Sequence, residues 1–399
     1  MLFSFAIIFI VGFLLSSFFN KMNLPGLLGM ILTGIVLGPF VFNLISEDIL
    51  SISGELRKIA LIVILLKAGL MLDIEDLKKV GRPAILMSFI PATLEILLIT
   101  FLAPLLFKIS YLEAAIMGCV VAAVSPAVVV PRMIKLIKKK YGHNKKIPHL
   151  VMAGASVDDI YVIVLFTIFL GIYTGKDLSV MSFINIPVSI ITGLIFGVTS
   201  GLLLARLFKA FKMRDTMKVL VVLSVSFLII SAETVFAPYF MMSGLLAVMA
   251  LGGTLLKSHG HLAERLIGKF TKIWVGAEVL LFVLVGAAVD ITTLASVGLL
   301  SVLLVFVALM FRLIGVYLSL INTDLNTKER LFCAFSYMPK ATVQAAIGAI
   351  PLSSGVTSGN LILSVAVLSI MITAPVGATL IDKTYKTFLT HDNEKSLDV

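Results

Sequence analysis

The sequence predicts an all-α polytopic membrane protein with about 13 transmembrane helices, arranged as two inverted repeats with crossed discontinuous helices. Of its 399 residues, 59% are hydrophobic and 14% are charged, whereas soluble domains average about a quarter charged residues. The mean hydropathy is +1.11. The apolar runs are continuous and do not alternate with a period of two, so helices and not strands are expected to cross the bilayer.

Windows of about 20 apolar residues mark the expected spans. The first has no basic leader and no A-x-A-like cleavage site, so we expect a retained span rather than a signal peptide. The full series is 2–19, 27–43, 59–73, 83–107, 112–135, 149–173, 182–208, 217–235, 241–256, 274–290, 294–321, 330–350 and 357–381.

Basic residues gather in the connections that follow the fifth, seventh and ninth spans. The positive-inside rule makes these connections cytoplasmic, which places the N-terminus outside and the C-terminus inside a cell (plasma) membrane. The net charge of +10 then reflects topology and contact with anionic lipid, and no nucleic-acid partner is expected. The residues are Arg132, Lys135, Lys138, Lys139, Lys140, Lys145, Lys146, Arg206, Lys209, Lys212, Arg214, Lys218, Lys257, Arg265, Lys269 and Lys272.

The two halves of the chain resemble each other at a nearly constant offset. Pro25–Met30 recurs as Ser243–Val248, and Gly69–Asp73 recurs as Gly286–Asp290. An odd number of spans separates the matched segments, so the halves have opposite orientations in the membrane. Inverted repeats are typical of secondary transporters, which bind their substrate near the midplane between the repeats.

Prolines interrupt one span in each half, at related positions. Pro126 and Pro131 lie in the fifth span, and Pro339 lies in the twelfth. Proline removes an amide donor and clashes with the preceding helical turn. We interpret the two spans as discontinuous helices whose free carbonyls and half-helix ends face an ion cavity. An ordinary proline kink is the alternative for either span alone.

Two adjacent carboxylates, Asp158 and Asp159, lie in an apolar run long enough to cross a bilayer. Each costs about 2.5–3.5 kcal/mol on insertion scales, so the pair needs a proton, a cation or a basic partner. Lys340, beside the break in the twelfth span, is the candidate partner, and a buried ammonium can release its proton. Alternatively, its charge only offsets the negative ends of half-helices.

Glu95 and Arg312 are single charges in apolar spans at equivalent positions of the two halves. Opposite charges placed in this way predict a structural salt bridge, because either charge alone would be costly. Lys67 also lies within a span and has no predicted partner. Cys119 and Cys333 lie in apolar runs, which indicates neither a disulfide nor a thiolate metal site.

At several segments the chain resembles the monovalent cation/proton antiporter superfamily, specifically its two-aspartate branch, which includes bacterial and animal sodium/proton antiporters. The resemblance covers nearly the whole chain and implies a homodimer. It also implies Asp159 as the principal ion-binding carboxylate and Asp158 as the partner of Lys340. The segments are Ser156–Asp159, Val124–Pro131, Pro339–Gly348 and, less specifically, Leu24–Gly29.

The resemblance implies a division of the chain into a dimerisation panel and a mobile core. The panel comprises residues 1–81 and 215–291, and the ion-transporting core comprises residues 82–178 and 292–383. A linker helix at 179–214 joins the two halves, and a short cytoplasmic tail occupies 384–399.

From these residues we expect a secondary active transporter, not an enzyme, that exchanges Na+ (or Li+) for H+ without a cofactor. Asp158 and Asp159 would bind the cation or protons in turn. Electroneutral relatives usually have asparagine at the first aspartate, so Asp158 favours electrogenic exchange. Ala155, where some close relatives have glutamate, leaves the ion selectivity open. Further oxygen ligands are expected from Ser125, Val128, Ser156 and Thr342.

Other functions are weighed against this one. A potassium/proton antiporter of the same superfamily is the nearest alternative, and an organic-anion/sodium symporter of similar fold is more remote, because it would present cationic groups. A channel would not need paired titratable groups. An intramembrane aspartyl protease needs its aspartates on different helices, which adjacent residues cannot supply.

Overall fold

The computed structural model describes residues 1–71, 81–175, 180–236 and 242–391, and these ranges are almost entirely helical. The tail beyond His391, the end of Gly69–Asp73 and the side chain of Ser156 lie outside the described residues. The helices are α1 (Leu2–Lys21), α2 (Leu27–Leu37), α3 (Glu47–Ser51), α4 (Ser53–Met71), α5 (Arg82–Phe107), α6 (Tyr111–Ala122), α7 (Pro126–Lys138), α8 (Ile147–Tyr173), α9 (Val180–Ala210), α10 (Asp215–Phe236), α11 (Gly244–Ser258), α12 (Gly260–Ala287), α13 (Ile291–Ser319), α14 (Thr327–Ser336), α15 (Thr342–Ile347), α16 (Ile350–Ser353) and α17 (Gly359–Phe388).

These helices confirm the predicted all-helical polytopic membrane fold. Within the described ranges, nine helical stretches are long and apolar enough to cross a membrane. Three shorter apolar stretches accompany them: Leu27–Leu37, Gly244–Ser258 and Thr342–Ser353. Cys119 and Cys333 are both buried and free.

Local sequence signals explain where the helices around the centre begin. α6 and α14 each start with a capping box, in which Ser110 pairs with Glu113 and Asn326 pairs with Glu329. α7 starts with Pro126 at its first position, where the missing amide is not needed. The start of α7 at Pro126 thus marks where the fifth predicted span is divided, whereas the capped starts of α6 and α14 mark the outer ends of the two interrupted spans.

Two boundary predictions are wrong. The tenth span was predicted to begin at residue 274, but α12 begins at Gly260. Leu262, Leu266 and Phe270 repeat every four residues and are buried, while the basic residues between them are exposed, so the supposed loop is an amphipathic helix. Pro131 was predicted to break a helix but lies inside α7, because membrane helices tolerate the loss of one amide donor.

The helices pack in two groups. In the first group α2 packs on α1 and α12, and α11 packs on α4, α9 and α10. In the second, α5 packs on α6, α8 and α13, and α17 packs on α13 and α14. The short helix α15 contacts α4 and α12 of the first group and α6 and α17 of the second, so the interrupted helices lie where the groups meet.

Candidate functional site

Two non-helical segments, each of which separates a pair of consecutive helices, are in contact with each other. Residues 123–125 separate α6 from α7, and residues 337–341 separate α14 from α15. The amide of Ser125 donates to the carbonyl of Pro339 at 2.8 Å, and the hydroxyls of Ser125 and Thr342 lie 3.5 Å apart. The non-helical centres therefore satisfy part of each other's backbone hydrogen bonding inside the membrane.

The exposed carbonyls at the end of α6 are covered by side chains from other helices. The Gln344 amide donates to the carbonyls of Val121 at 3.0 Å and Ala123 at 2.7 Å. The carbonyl of Ala122 accepts from Lys340 Nζ at 3.3 Å and from Arg312. These carbonyls form the negative end of a half-helix, so amide and cationic donors are the appropriate partners.

Arg312 of α13 connects the buried charges. Its Nη1 lies 2.9 Å from Glu95 Oε2, and its Nη2 lies 2.9 Å from Asp158 Oδ2. Its Nε donates to the carbonyl of Tyr337 at 2.8 Å. The planar guanidinium has its donors in a fixed fork, which lets one side chain hold two carboxylates at once. All three charged side chains are fully buried.

Lys340 pairs with Glu95 and not with Asp158. Its Nζ lies 2.7 Å from Glu95 Oε2, the oxygen that Arg312 also contacts. The pairing of Asp158 with Lys340 that the family resemblance implied does not form in this structure, because Lys340 Nζ contacts Glu95 and the Ala122 carbonyl instead. The Lys340 amide donates to Thr373 Oγ1 at 2.9 Å, which holds this residue at the break.

Asp158 and Asp159 lie on α8 beside the crossing. Asp158 is fully buried, and its Oδ2 also accepts from the amide of Val124 at 2.8 Å. Asp159 is 7% exposed. In both residues Oδ1 is buried and has no hydrogen-bond partner among the residues that the structure describes. A buried carboxylate oxygen that accepts no hydrogen bond is costly, so these two atoms are positioned to accept a cation or to carry a proton.

The other predicted ligands have different surroundings. Val128 is buried, but its carbonyl accepts from Arg132 Nη1 at 2.9 Å. The carbonyl of Ser125 accepts from the amides of Val128 and Val129. The carbonyls freed by the break are therefore those at the end of α6. The hydroxyls of Ser125 and Thr342 remain close to the crossing.

Two site residues were missed from the sequence. Gln344 is fully buried, with its Oε1 unpartnered, and its only sequence signal was an amide in an apolar run. Tyr337 is fully buried with an unpartnered hydroxyl, and its ring lies 5.5 Å from the Arg312 guanidinium. No pattern in the sequence distinguished Tyr337 from other aromatic residues.

A cavity of about 390 Å³ approaches the crossing from one side. Its wall includes Ala127 and Val128, which directly follow the break, and the ion pair between Arg132 and Asp382 (3.1 Å). Glu278 of α12 also lines this cavity. Lys67, which had no predicted partner, interacts electrostatically with Glu278.

This fold and this site define a class. Interrupted membrane helices that cross beside buried titratable groups, at a contact between two helix groups, are how secondary transporters build ion sites. Among the described residues, no group of three or more His, Cys, Asp and Glu side chains could hold a resident metal ion.

Comparison with known proteins identifies the family. Residues 5–385 match the family model described as "Sodium/hydrogen exchanger, transmembrane", and the chain belongs to this family. Sodium/hydrogen exchanger 9B2 of Homo sapiens is 35% identical over 372 residues, covering 90% of this chain and 68% of that protein. Sodium/hydrogen exchanger 9B1 of Homo sapiens is 32% identical over 377 residues, covering 90% and 71%.

The fold is similar to that of a solved antiporter. The sodium proton antiporter MjNhaP1 from Methanocaldococcus jannaschii superposes with a TM-score of 0.84, covering 96% of this chain and 97% of that one. The identity is 19%, so this likeness concerns the fold alone. The chain is a multi-pass membrane protein of an exchanger family, and that family consists of transporters, not enzymes.

Proposed function

We propose that the protein exchanges Na+ (or Li+) for H+ across a cell (plasma) membrane by alternating access, and that the exchange is electrogenic. The observation that carries the proposal is the pair of buried, unpartnered oxygens, Asp158 Oδ1 and Asp159 Oδ1, beside the crossing of two interrupted helices. The family match and the names of the relatives support the choice of ions.

Competition for the carboxylates couples the two ions. Na+ prefers several hard oxygen ligands, and carboxylate oxygens together with hydroxyls near the crossing provide that chemistry. A carboxylate that holds a proton cannot also bind the cation. If only a loaded site changes sides, each cation that crosses in one direction requires protons to cross in the other.

The buried charges of the site bear on how many protons are exchanged for each cation. Asp158 and Glu95 balance Arg312 and Lys340, so the network without Asp159 has no net charge. Asp159 then binds one cation or one proton. We assign the second proton to Lys340, because a buried ammonium loses its proton more readily than a buried guanidinium. Two protons exchanged for one Na+ would move net charge.

The architecture we propose follows the predicted division. Residues 82–178 and 292–383 form the moving core, residues 1–81 and 215–291 form the dimerisation panel of a homodimer, and 179–214 links them. The two halves are inverted repeats within about 13 spans, with the N-terminus outside and the tail, 384–399, in the cytoplasm. The 390 Å³ cavity supports this arrangement, because it separates α1, α2 and α12 from α7 and α17.

Replacement of both aspartates tests the site. Asp158→Asn with Asp159→Asn keeps the side-chain shapes but removes both ionisable groups, so we expect exchange in liposomes to fall to the background of empty vesicles. Size-exclusion chromatography should show the same folded species as the wild type. Cation-dependent proton movement that survives in this variant would overturn the assignment.

The organic-anion alternative loses its basis, because both buried cations of the site, Arg312 and Lys340, are paired with carboxylates of the chain. Exchange of potassium is an outcome of the same liposome assay when the cations are compared.

A further inference from the structure

Near the start of α4 lies a buried guanidinium, that of Arg57, without an ion-pair partner among the described residues. Arg57 is 8% exposed, and its Nη1 is buried without a hydrogen bond. Within the described part of the chain, no carboxylate forms an ion pair with it. An unpaired buried charge is strongly destabilising, so a cation in this position indicates a counter-anion.

Arg57 lines a second cavity, of about 320 Å³. Its walls come from α4, α10 and α11 of the first helix group and from α15 and α16 beside the crossing. This cavity adjoins the start of α4, whereas the 390 Å³ cavity adjoins the start of α2, and the two share no lining residue.

The other charges of this cavity do not neutralise Arg57. Lys58 and Glu55 pair with each other at 3.3 Å, and both are exposed. Glu233 also lines the cavity but makes no ion pair with Arg57, and its Oε2 lies towards Gly244 of α11. Among the described residues of this cavity, Arg57 therefore has no ion-pair partner.

We propose that this cavity binds a compact monovalent anion, such as chloride, at Arg57. A guanidinium offers several N–H donors to an anion, and Ser354, which also lines the cavity, carries a hydroxyl that can add a further donor. A volume of 320 Å³ has room for roughly ten waters, so a small anion fits with part of its hydration shell.

Binding here has a conformational consequence. The cavity lies between the two helix groups, so its shape depends on how they are placed relative to one another. A ligand that binds one arrangement better shifts the population towards it. A bound anion therefore stabilises the arrangement seen in this structure and makes the folded protein more resistant to heat.

Thermal unfolding of the purified protein tests the proposal. Sodium is kept constant while chloride replaces gluconate, a bulkier anion. We expect the melting temperature of the wild type to rise with chloride and to saturate, and that of Arg57→Gln to show no rise. Lys58→Gln is the matched control, because it removes an exposed cation of the same cavity, and it should respond like the wild type.

Arg57→Lys keeps the positive charge but lacks the planar guanidinium with its several N–H donors. The melting temperature of this variant should therefore rise only at higher chloride concentrations. It also tests the proposal if Arg57→Gln does not fold. A wild type that does not respond to chloride, or an equal response in Arg57→Gln, would overturn the site. Stabilisation by phosphatidylglycerol but not by chloride would identify a lipid phosphate and overturn the chloride assignment. No ion transport is measured, so failure here leaves the antiport proposal standing.

Discussion

At the scale of single residues, the guanidinium of Arg312 organises the site. Arg312 holds Glu95 and Asp158 and also bonds the carbonyls of Ala122 and Tyr337. Taking these charges out of water is expensive, and the mutual hydrogen bonds compensate for it. The arrangement fixes Oδ2 of Asp158, while Oδ1 makes no hydrogen bond with the described residues, which is why we propose it as an ion ligand.

The Tyr337 hydroxyl and Gly154 form a coupled pair. A Cβ at Gly154 would overlap the hydroxyl of Tyr337, which has no hydrogen-bond partner. We predict that Gly154→Ala destabilises the protein by about 1–3 kcal/mol through overpacking. Tyr337→Phe removes an unsatisfied polar group and should be neutral or stabilising.

The double variant Gly154→Ala with Tyr337→Phe provides the control. Removal of the hydroxyl frees space for the new methyl group, so the double variant should regain most of the lost stability, a coupling of about 0.5–3 kcal/mol. Thermal unfolding of the four proteins measures it. If the stability changes of the two single variants simply add in the double variant, the new methyl group and the Tyr337 hydroxyl are not in contact.

At the scale of helices, interruption of two spans creates backbone groups that must be satisfied inside the membrane. The carbonyls at the end of α6 receive the Gln344 amide and two cations, and the amide of Ser125 bonds Pro339. Each break thus supplies partners for the other, which explains why the interruptions occur as a pair.

Close contact between α2 and α12 depends on glycine. A Cβ at Gly286 would overlap the carbonyl of Ile31 and lie 3.1 Å from Gly34 Cα. Because backbone and not a flexible side chain stands in the way, we predict that Gly286→Ala separates these helices and costs about 1–3 kcal/mol.

Gly276→Ala is the matched control on the same helix. A Cβ there would meet Phe9 Cε1 at 3.9 Å, an ordinary contact. Alanine is favoured over glycine within a helix by up to about 1 kcal/mol, so this change should be neutral or stabilising. Thermal unfolding compares the two variants, and equal melting temperatures would contradict the close packing.

At the scale of the whole molecule, the sequence predicted the kind of fold and most of the charged site residues. Asp158, Asp159, Glu95, Arg312 and Lys340 were identifiable because charges in apolar runs are costly. The pairing of Glu95 with Arg312 was also predicted and is present. The contacts of Arg312 with Asp158 and of Lys340 with Glu95 were not predicted, because they depend on how helices far apart in sequence approach each other.

Uncharged site residues, and a charged residue just outside a predicted span, were harder to recognise. Tyr337 and Gln344 carry no charge and therefore gave little signal in apolar runs. Arg57 lies before the predicted start of its span and resembles a solvated loop residue, yet it is buried under α15 and α16. Burial of this kind is a product of tertiary packing and has no local sequence signature.

The central claim is electrogenic exchange of Na+ (or Li+) for protons. The most direct test is to reconstitute the protein in liposomes and to record internal pH and membrane potential after addition of sodium, lithium or potassium chloride. We predict proton movement that depends on sodium or lithium, that generates a potential, and that declines in acid as protons occupy the carboxylates.

Different results would change the account in defined ways. Proton movement without a potential would keep the antiporter but contradict the assignment of a second proton to Lys340. The absence of proton movement with every cation between about pH 6 and pH 9, a range above the pKa of an ordinary solvated carboxyl, would contradict the proposed function itself.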